Sequence, residues 1–275
     1  MTTFLSEELQ KISGTSEPLD WLFLLADKAK SIDVFREKEG RKTFRFKSGN
    51  RYFFAKIHRG VGWKEILKNL FKLRWPVLGA ENEYRALLAL NAVGIETMTV
   101  EGFGQSGCNP AKRSSFIVTE ELYNTISLED YCAGWSVQKP SYSEKCALLE
   151  KLARVSRAMH GAGINHRDYY LCHFHLDVSS LATVEPPVCY LIDLHRAQIR
   201  SRTSRRWYIK DLAGLYYSAM DAGLRRRDLL RFISIYSGVP ASTALKQDGS
   251  FWQQVEKRAN KLYRRDHGRA APVID

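Results

Sequence analysis

From Ser143 to Gly163 the chain reads SEKCALLEKLARVSRAMHGAG, with apolar residues three and four apart, a serine at the N-cap position and glycines at the end. Ile164-Asn165-His166-Arg167-Asp168 follows at once. A span short enough for a hairpin then leads to an apolar run ending in Leu191-Ile192-Asp193-Leu194-His195. The order is a long helix, a tight loop with a carboxylate, and a strand that delivers a second carboxylate. Asp168, with Arg167 beside it, is placed to orient an acceptor hydroxyl and take its proton. Asp193 at a strand end offers the oxygen that a hard cation such as Mg²⁺ prefers. The tripeptide His-Arg-Asp alone is a weak signal. Flanked by that helix and that strand, it becomes a strong one.

The rest of the chain supplies the frame such a pair needs. Between Asp33 and His58, the short β-type runs VFRE, RKTFRFK and RYFFAKIH alternate with polar turns and predict an antiparallel meander. A helix is expected over Ala80–Val93, stopped by Gly94, and strands over ETMTVEGFG and SSFIVTEEL. Beyond Ser143 the pattern is mostly helical, with short strands near Phe174 and at VCYLIDL. This is an α+β chain with a two-lobed, protein-kinase-like fold. Residues 1–121 are expected to form a β-rich N-lobe with one main helix and an amphipathic insertion at about 61–76. Residues 122–275 are expected to form a mainly helical C-lobe.

Phe53-Phe54-Ala55-Lys56-Ile57 has the form of a strand whose lysine grips the α- and β-phosphates of ATP. Its expected partner is Glu83 on the next helix, with Glu81 as the second choice; such a pair fixes the ammonium where the phosphates sit. The run Ile117 to Leu122 has the look of a hinge whose backbone, around Glu120 and Leu122, pairs with an adenine edge.

The run His166-Arg167-Asp168-Tyr169-Tyr170-Leu171-Cys172-His173-Phe174 resembles the lipopolysaccharide core heptose kinases of Gram-negative bacteria, the WaaP family. Leu191 to Ala197 and Arg206 to Ala213 resemble it too, and the likeness runs from about Phe44 to Leu262. The resemblance implies transfer of the γ-phosphate of ATP to a hydroxyl of the first inner-core heptose of lipopolysaccharide. It implies Asp168 as general base, Asp193 as metal ligand, work at the cytoplasmic face of the inner membrane, and an acyl carrier protein as a candidate partner.

The sequence departs from ordinary protein kinases in three places. His173 stands where an asparagine usually ligates a second metal, and imidazole is a poorer ligand for Mg²⁺. The phosphate-covering loop, Glu37 to Lys42, has the single glycine Gly40, so Arg41 or Lys42 would have to supplement its backbone. Asp-Leu-His replaces Asp-Phe-Gly, which argues against the usual activation-loop switch and against a protein substrate.

Each assignment has a plainer competitor. Asp168 could cap a loop, Asp193 could form a turn, and Lys56 could merely snorkel from a half-buried strand. His166, Cys172, His173 and His175 invite a zinc reading that a catalytic loop makes unnecessary. Asp211 could brace the catalytic loop or simply N-cap the apolar stretch DLAGLYYSAM.

The formal charge of +12 predicts attraction to something anionic. No nucleic-acid motif accompanies it. In Gly62–Trp75, Trp63, Ile66, Leu67, Leu70 and Phe71 share one helical face and Lys64, Lys68 and Lys72 another. That pattern suits peripheral contact with a membrane or an acidic partner, and equally a helix packed on the N-lobe. Leu224-Arg225-Arg226-Arg227 and the tail from Lys257 to Arg269 add basic surface. Five scattered cysteines without a C-x-x-C suggest reduced thiols. The start of the chain lacks signal-peptide features and no apolar run is long enough to span a bilayer, so a cytoplasmic location is expected. The competing functions are a kinase for another core sugar or for protein tyrosine, and a non-catalytic kinase-fold adaptor.

Overall fold

A computed structural model describes residues 3–15, 17–38, 40–60, 62–71, 79–183 and 186–274. The chain divides into two compact units: Met1–Leu88 with Met98–Tyr123, and Ala89–Thr97 with Asn124–Asp275.

The first unit begins with elements that periodicity alone did not mark. β1 (Thr3–Leu5) and α1 (Glu7–Ser13) precede α2 (Pro18–Lys28), which has proline in its first turn, where no intrahelical N–H is required. Leu19, Leu22 and Ala26, three and four apart, bury one face of α2 against Phe44, Phe53 and Ile57. The expected meander is present as β2 (Val34–Lys38), β3 (Arg41–Ser48) and β4 (Arg51–Arg59). After α3 (Gly62–Phe71) and α4 (Glu81–Ala92) come β5 (Val100–Ser106) and β6 (Ser114–Glu120). The six strands form one antiparallel sheet in the order β1-β5-β6-β4-β3-β2. The strand expected over Glu96–Gly104 thus starts only at Val100. Glu96 and Thr97 instead anchor side chains, on Lys151 and Asn91.

Gly40 turns the β2–β3 corner at φ 74°, and a Cβ there would lie 2.7 Å from the carbonyl oxygen of Gly60. Only glycine fits that approach. Glu39, in the same loop, lies outside the described residues.

The second unit opens with β7 (Thr125–Ser127) and α5 (Leu128–Cys132) and is built around α6 (Tyr142–Gly161). The N-cap of α6 is Ser141, whose hydroxyl accepts from the Glu144 N–H at 3.1 Å; Ser143, the expected cap, already lies inside the helix. Then follow β8 (Ile164–Asn165), β9 (Phe174–Asp177), β10 (Cys189–Leu191) and β11 (Gln198–Ile199). β9 lies between β10 and β7, and β11 pairs with β8. α7 (Arg205–Ala219), α8 (Arg226–Ser237) and α9 (Ala241–His267) complete it, with Ile209, Leu212, Val255, Ala259 and Tyr263 in a common core. A buried ion pair at 2.6 Å, Lys145 to Asp228, ties α6 to α8. A cavity of about 800 Å³ opens among these helices, lined by Leu148, Leu152, Leu215, Leu229, Phe232 and Ile274. Among the described residues, no helix is long and apolar enough to cross a membrane.

Candidate active site

In the first unit, Lys56 sits on β4 opposite Thr43 of β3 and Ile117 of β6. Its Nζ is 2.6 Å from Oε1 of Glu83, on the first turn of α4. Glu83 is 2% exposed, so its charge has left water and needs that ammonium close by. The second-choice carboxylate, Glu81, goes instead to Arg85 and Arg113. At the end of β6, the Glu120 N–H donates to the Thr99 carbonyl and the Glu121 N–H to the Tyr52 carbonyl, both at 3.0 Å. The Glu120 carboxylate holds Arg51, which also reaches Glu8 and Glu101. These acceptors raise the Arg51 pKa above its ordinary value, the Glu120 hydrogen bond most of all, against the effect of burial. Glu120 therefore serves its own sheet through both groups, while Leu122 follows the strand end.

In the second unit, the catalytic-loop expectation acquires its geometry. β8 leads into His166, Arg167 and Asp168, and the loop is held from below by Asp211. One Asp211 oxygen accepts from the His166 N–H at 2.7 Å, the other from the Arg167 N–H at 2.9 Å. Asp211 lies in the middle of α7, seven residues from its N-cap Ser204, so the capping alternative is excluded. Arg167 takes φ 76°, a conformation unfavourable for a residue with a Cβ, and the Asp211 contact helps hold it. Its guanidinium lies 5.4 Å over the ring of Trp207, and burial, with Arg196 and Arg200 nearby, lowers its pKa.

His166 is fully buried and its tautomer follows from its partners. Nε2 faces the Ile192 carbonyl at 2.9 Å, an acceptor only, so Nε2 carries the proton. Nδ1 then accepts from the Asp168 N–H at 3.3 Å, which requires a neutral ring. Burial lowers the His166 pKa, in keeping with that state.

Asp193, at φ 59°, follows β10, whose partner strand β9 continues directly from the catalytic loop. The Ile192 N–H donates to the His173 carbonyl at 2.9 Å. Nδ1 of His173 is 2.6 Å from the Asp168 carbonyl, and Nε2 is 3.6 Å from Oδ2 of Asp193. Because the carbonyl accepts only, Nδ1 carries the proton of that hydrogen bond, and Nε2 is the ring atom turned toward the carboxylate. The Asp193 carboxylate is the hard oxygen donor that a cation such as magnesium prefers. Magnesium typically takes one or two protein carboxylates and completes its shell with water and phosphate. The residues present therefore fit it.

Two partners were not assigned roles from the sequence. His195 Nδ1 lies 2.6 Å from Oδ1 of Asp193, and Arg196 donates to Oδ1 of Asp168 at 2.6 Å. Both belong to the run that carries Asp193, but residue type alone does not say which carboxylate each would meet. Among the described residues no group of three or more His, Cys, Asp or Glu side chains could hold a metal, so the zinc reading finds no cage. Cys172 is pushed up to about 11 by burial, away from the thiolate that zinc requires.

A sheet-rich unit with a Lys–Glu pair and a helical unit with a braced carboxylate loop define a protein-kinase-like phosphotransferase. The profile of the lipopolysaccharide kinase (Kdo/WaaP) family matches residues 26–236. The chain is 48% identical over 233 residues to lipopolysaccharide core heptose(I) kinase WaaP of Escherichia coli, covering 85% of this chain and 88% of that protein. It is 43% identical over 265 residues to the protein of the same name from Pseudomonas aeruginosa, covering 96% and 97%. The solved structure of WaaP in complex with acyl carrier protein superposes with a TM-score of 0.80 at 38% identity, covering 96% of this chain and 100% of that one. The chain belongs to the lipopolysaccharide kinase (Kdo/WaaP) family. As a kinase of that family it is a phosphotransferase that takes ATP as donor.

Proposed function

We propose that this protein transfers the γ-phosphate of ATP to a heptose hydroxyl of the lipopolysaccharide inner core, with Asp168 as the base. The observation that carries this reading is the joined pair of carboxylates: Asp168 on a loop braced by Asp211, linked through His173 to Asp193. Asp168 accepts the hydroxyl proton as the sugar oxygen bonds to phosphorus and the bond to ADP breaks. Arg196 orients the Asp168 carboxylate. Asp193, steadied by His195 and with His173 beside it, would hold magnesium, and the ion would neutralise charge developing on the phosphates. Lys56, fixed by Glu83, holds the α- and β-phosphates, with Arg41 supplementing the single-glycine loop. The adenine edge falls to the backbone at Leu122, since Glu120 and Glu121 have committed their N–H groups.

The relative solved with acyl carrier protein supports a partner of that kind, and the apolar cavity of the helical unit could take an acyl chain. Peripheral contact with the inner face of the inner membrane is supported by α3. Ile66 is buried, while Trp63, Leu67 and Phe71, at successive four-residue steps, remain exposed. The part of the amphipathic stretch that includes Lys72 and Trp75 lies outside the described residues.

The deciding experiment is incubation with labelled ATP and dephosphorylated inner-core lipopolysaccharide, with mass mapping of the product. Wild type should place one phosphate on heptose, and a folded Asp168→Asn variant should place none. Near wild-type turnover by that variant would refute the assignment of the base, and label on another sugar would refute the acceptor.

A further inference from the structure

Trp207, in the first turn of α7, is ringed by cations. The side-chain charges of Arg167 and Arg200 each lie 5.4 Å from its ring centroid, that of Arg206 4.9 Å and that of Lys210 4.1 Å. An indole face attracts a cation, but four around one ring also repel one another. Lys210 has its pKa lowered by burial first, and then by Arg258, Arg206 and Arg167. Among the described residues, none of Arg167, Arg200, Arg206, Lys210 and Arg258 is ion-paired to a carboxylate within 4.0 Å. Arg200 is oriented by neutral oxygens instead, Oδ1 of Asn165 at 2.7 Å and Oε1 of Gln198 at 2.6 Å. Its charge is thus held in place without being neutralised.

The position of this cluster matters as much as its charge. Arg167 immediately precedes Asp168, and Asn165, which orients Arg200, ends the strand that feeds the same loop. The adjacent Arg196 is already committed to the Asp168 carboxylate. Asp168 and Asp211 attract Arg167, and Asp211 attracts Lys210, from beyond ion-pair distance, which leaves an excess of cations beside the proposed base for an anion that arrives with the acceptor.

We propose that the cations around Trp207 form an acceptor subsite for an oxyanion substituent, carboxylate or phosphate, on the sugar region next to the hydroxyl that is phosphorylated. The proposal rests on the reading of Asp168 as base and adds what the acceptor must carry. Planar guanidinium groups match either oxyanion with paired N–H donors, and Lys210 adds a point charge. Arg206 and Lys210 are the members to change, because neither holds the catalytic loop.

The test measures equilibrium binding of inner-core oligosaccharide by calorimetry alongside steady-state kinetics. It compares wild type with Arg206→Gln, Lys210→Gln, the double variant and Lys210→Arg. Three acceptors are used, each with the target heptose hydroxyl free: one otherwise intact, one carboxyl-reduced and one stripped of its remaining phosphates. The double variant should weaken binding of intact acceptor by about tenfold or more, leave KM for ATP within about twofold, and melt no lower than wild type; Lys210→Arg should restore binding. Wild type should lose a similar factor on whichever acceptor lacks the recognised oxyanion, and the double variant should lose little more on that acceptor. The arm that shows this identifies carboxylate or phosphate. Unchanged acceptor binding by the double variant, a loss confined to KM for ATP, or fully additive losses on both altered acceptors would each overturn the subsite. If acceptor binding behaves as expected but no heptose is phosphorylated, the reaction assignment fails and the subsite stands.

Discussion

Nε2 of His173 stands 3.6 Å from Oδ2 of Asp193, and the same ring joins that carboxylate to the backbone of Asp168 through Nδ1. One imidazole thus sets the spacing between the proposed base and the proposed metal ligand. Residues that orient a metal ligand usually contribute ten- to a hundredfold to metal affinity or activity. His173→Ala should therefore lower kcat by about that factor. It should also raise the magnesium concentration needed for half-maximal rate and leave the acceptor KM little changed. Steady-state kinetics across a magnesium series reads all three. An unchanged magnesium requirement would confine His173 to packing.

Asp211 is 1% exposed and its two oxygens take the N–H groups of consecutive loop residues. Asp211→Ala leaves both donors buried and unpaired, at about 1–3 kcal/mol each, and releases Arg167 from the contact that helps hold its positive φ. Loss of stability should show as a lower urea midpoint with an unchanged slope. Activity should fall further than stability does, because the loop positions Asp168. Asp211→Asn, which keeps one acceptor, should recover part of both.

What the sequence makes legible differs from element to element. The Lys56–Glu83 pair could be read because a lysine in an apolar strand and a glutamate opening the next helix leave few other partners. Asp211 reads two ways in the sequence because the start of α7 is polar: Arg205, Arg206 and Lys210 conceal the helical period that Asp211 sits inside. The β1, α1 and α2 elements went unassigned because α2 is apolar on several sides, with Leu24 exposed and Leu22 buried, so its run reads as composition more than period. The charge ring around Trp207 brings residues 167, 200, 206 and 210 together through tertiary structure, which no local pattern encodes.

On α3, Trp63, Leu67 and Phe71 are 55%, 49% and 85% exposed, a stripe that a packed helix would have buried. Replacing Trp63 and Phe71 with serine should cut binding to anionic phospholipid vesicles by about tenfold or more in a flotation assay. Turnover on a delipidated, water-soluble acceptor should not change. Equal flotation of the variant and wild type would remove α3 as the membrane contact.

His166 gives the fold an acid limit with a definite sign. Its pKa is lowered by burial, and its Nδ1 must remain unprotonated to accept the Asp168 N–H. Above the unfolded-state value of about 6.5, the ring is neutral in both states and costs nothing. As pH falls below that value, the unfolded chain takes up a proton that the folded one refuses, so stability is lost with each step downward. The loss ends only where the folded ring itself protonates, and there the hydrogen bond to Asp168 breaks. Unfolding free energy measured between pH 8 and pH 5 should therefore fall on the acid side, by about 1.4 kcal/mol per pH unit at most for this one group. In His166→Asn, which starts less stable, that acid-side fall should be shallower. An identical slope in the two proteins would mean that other groups set the limit.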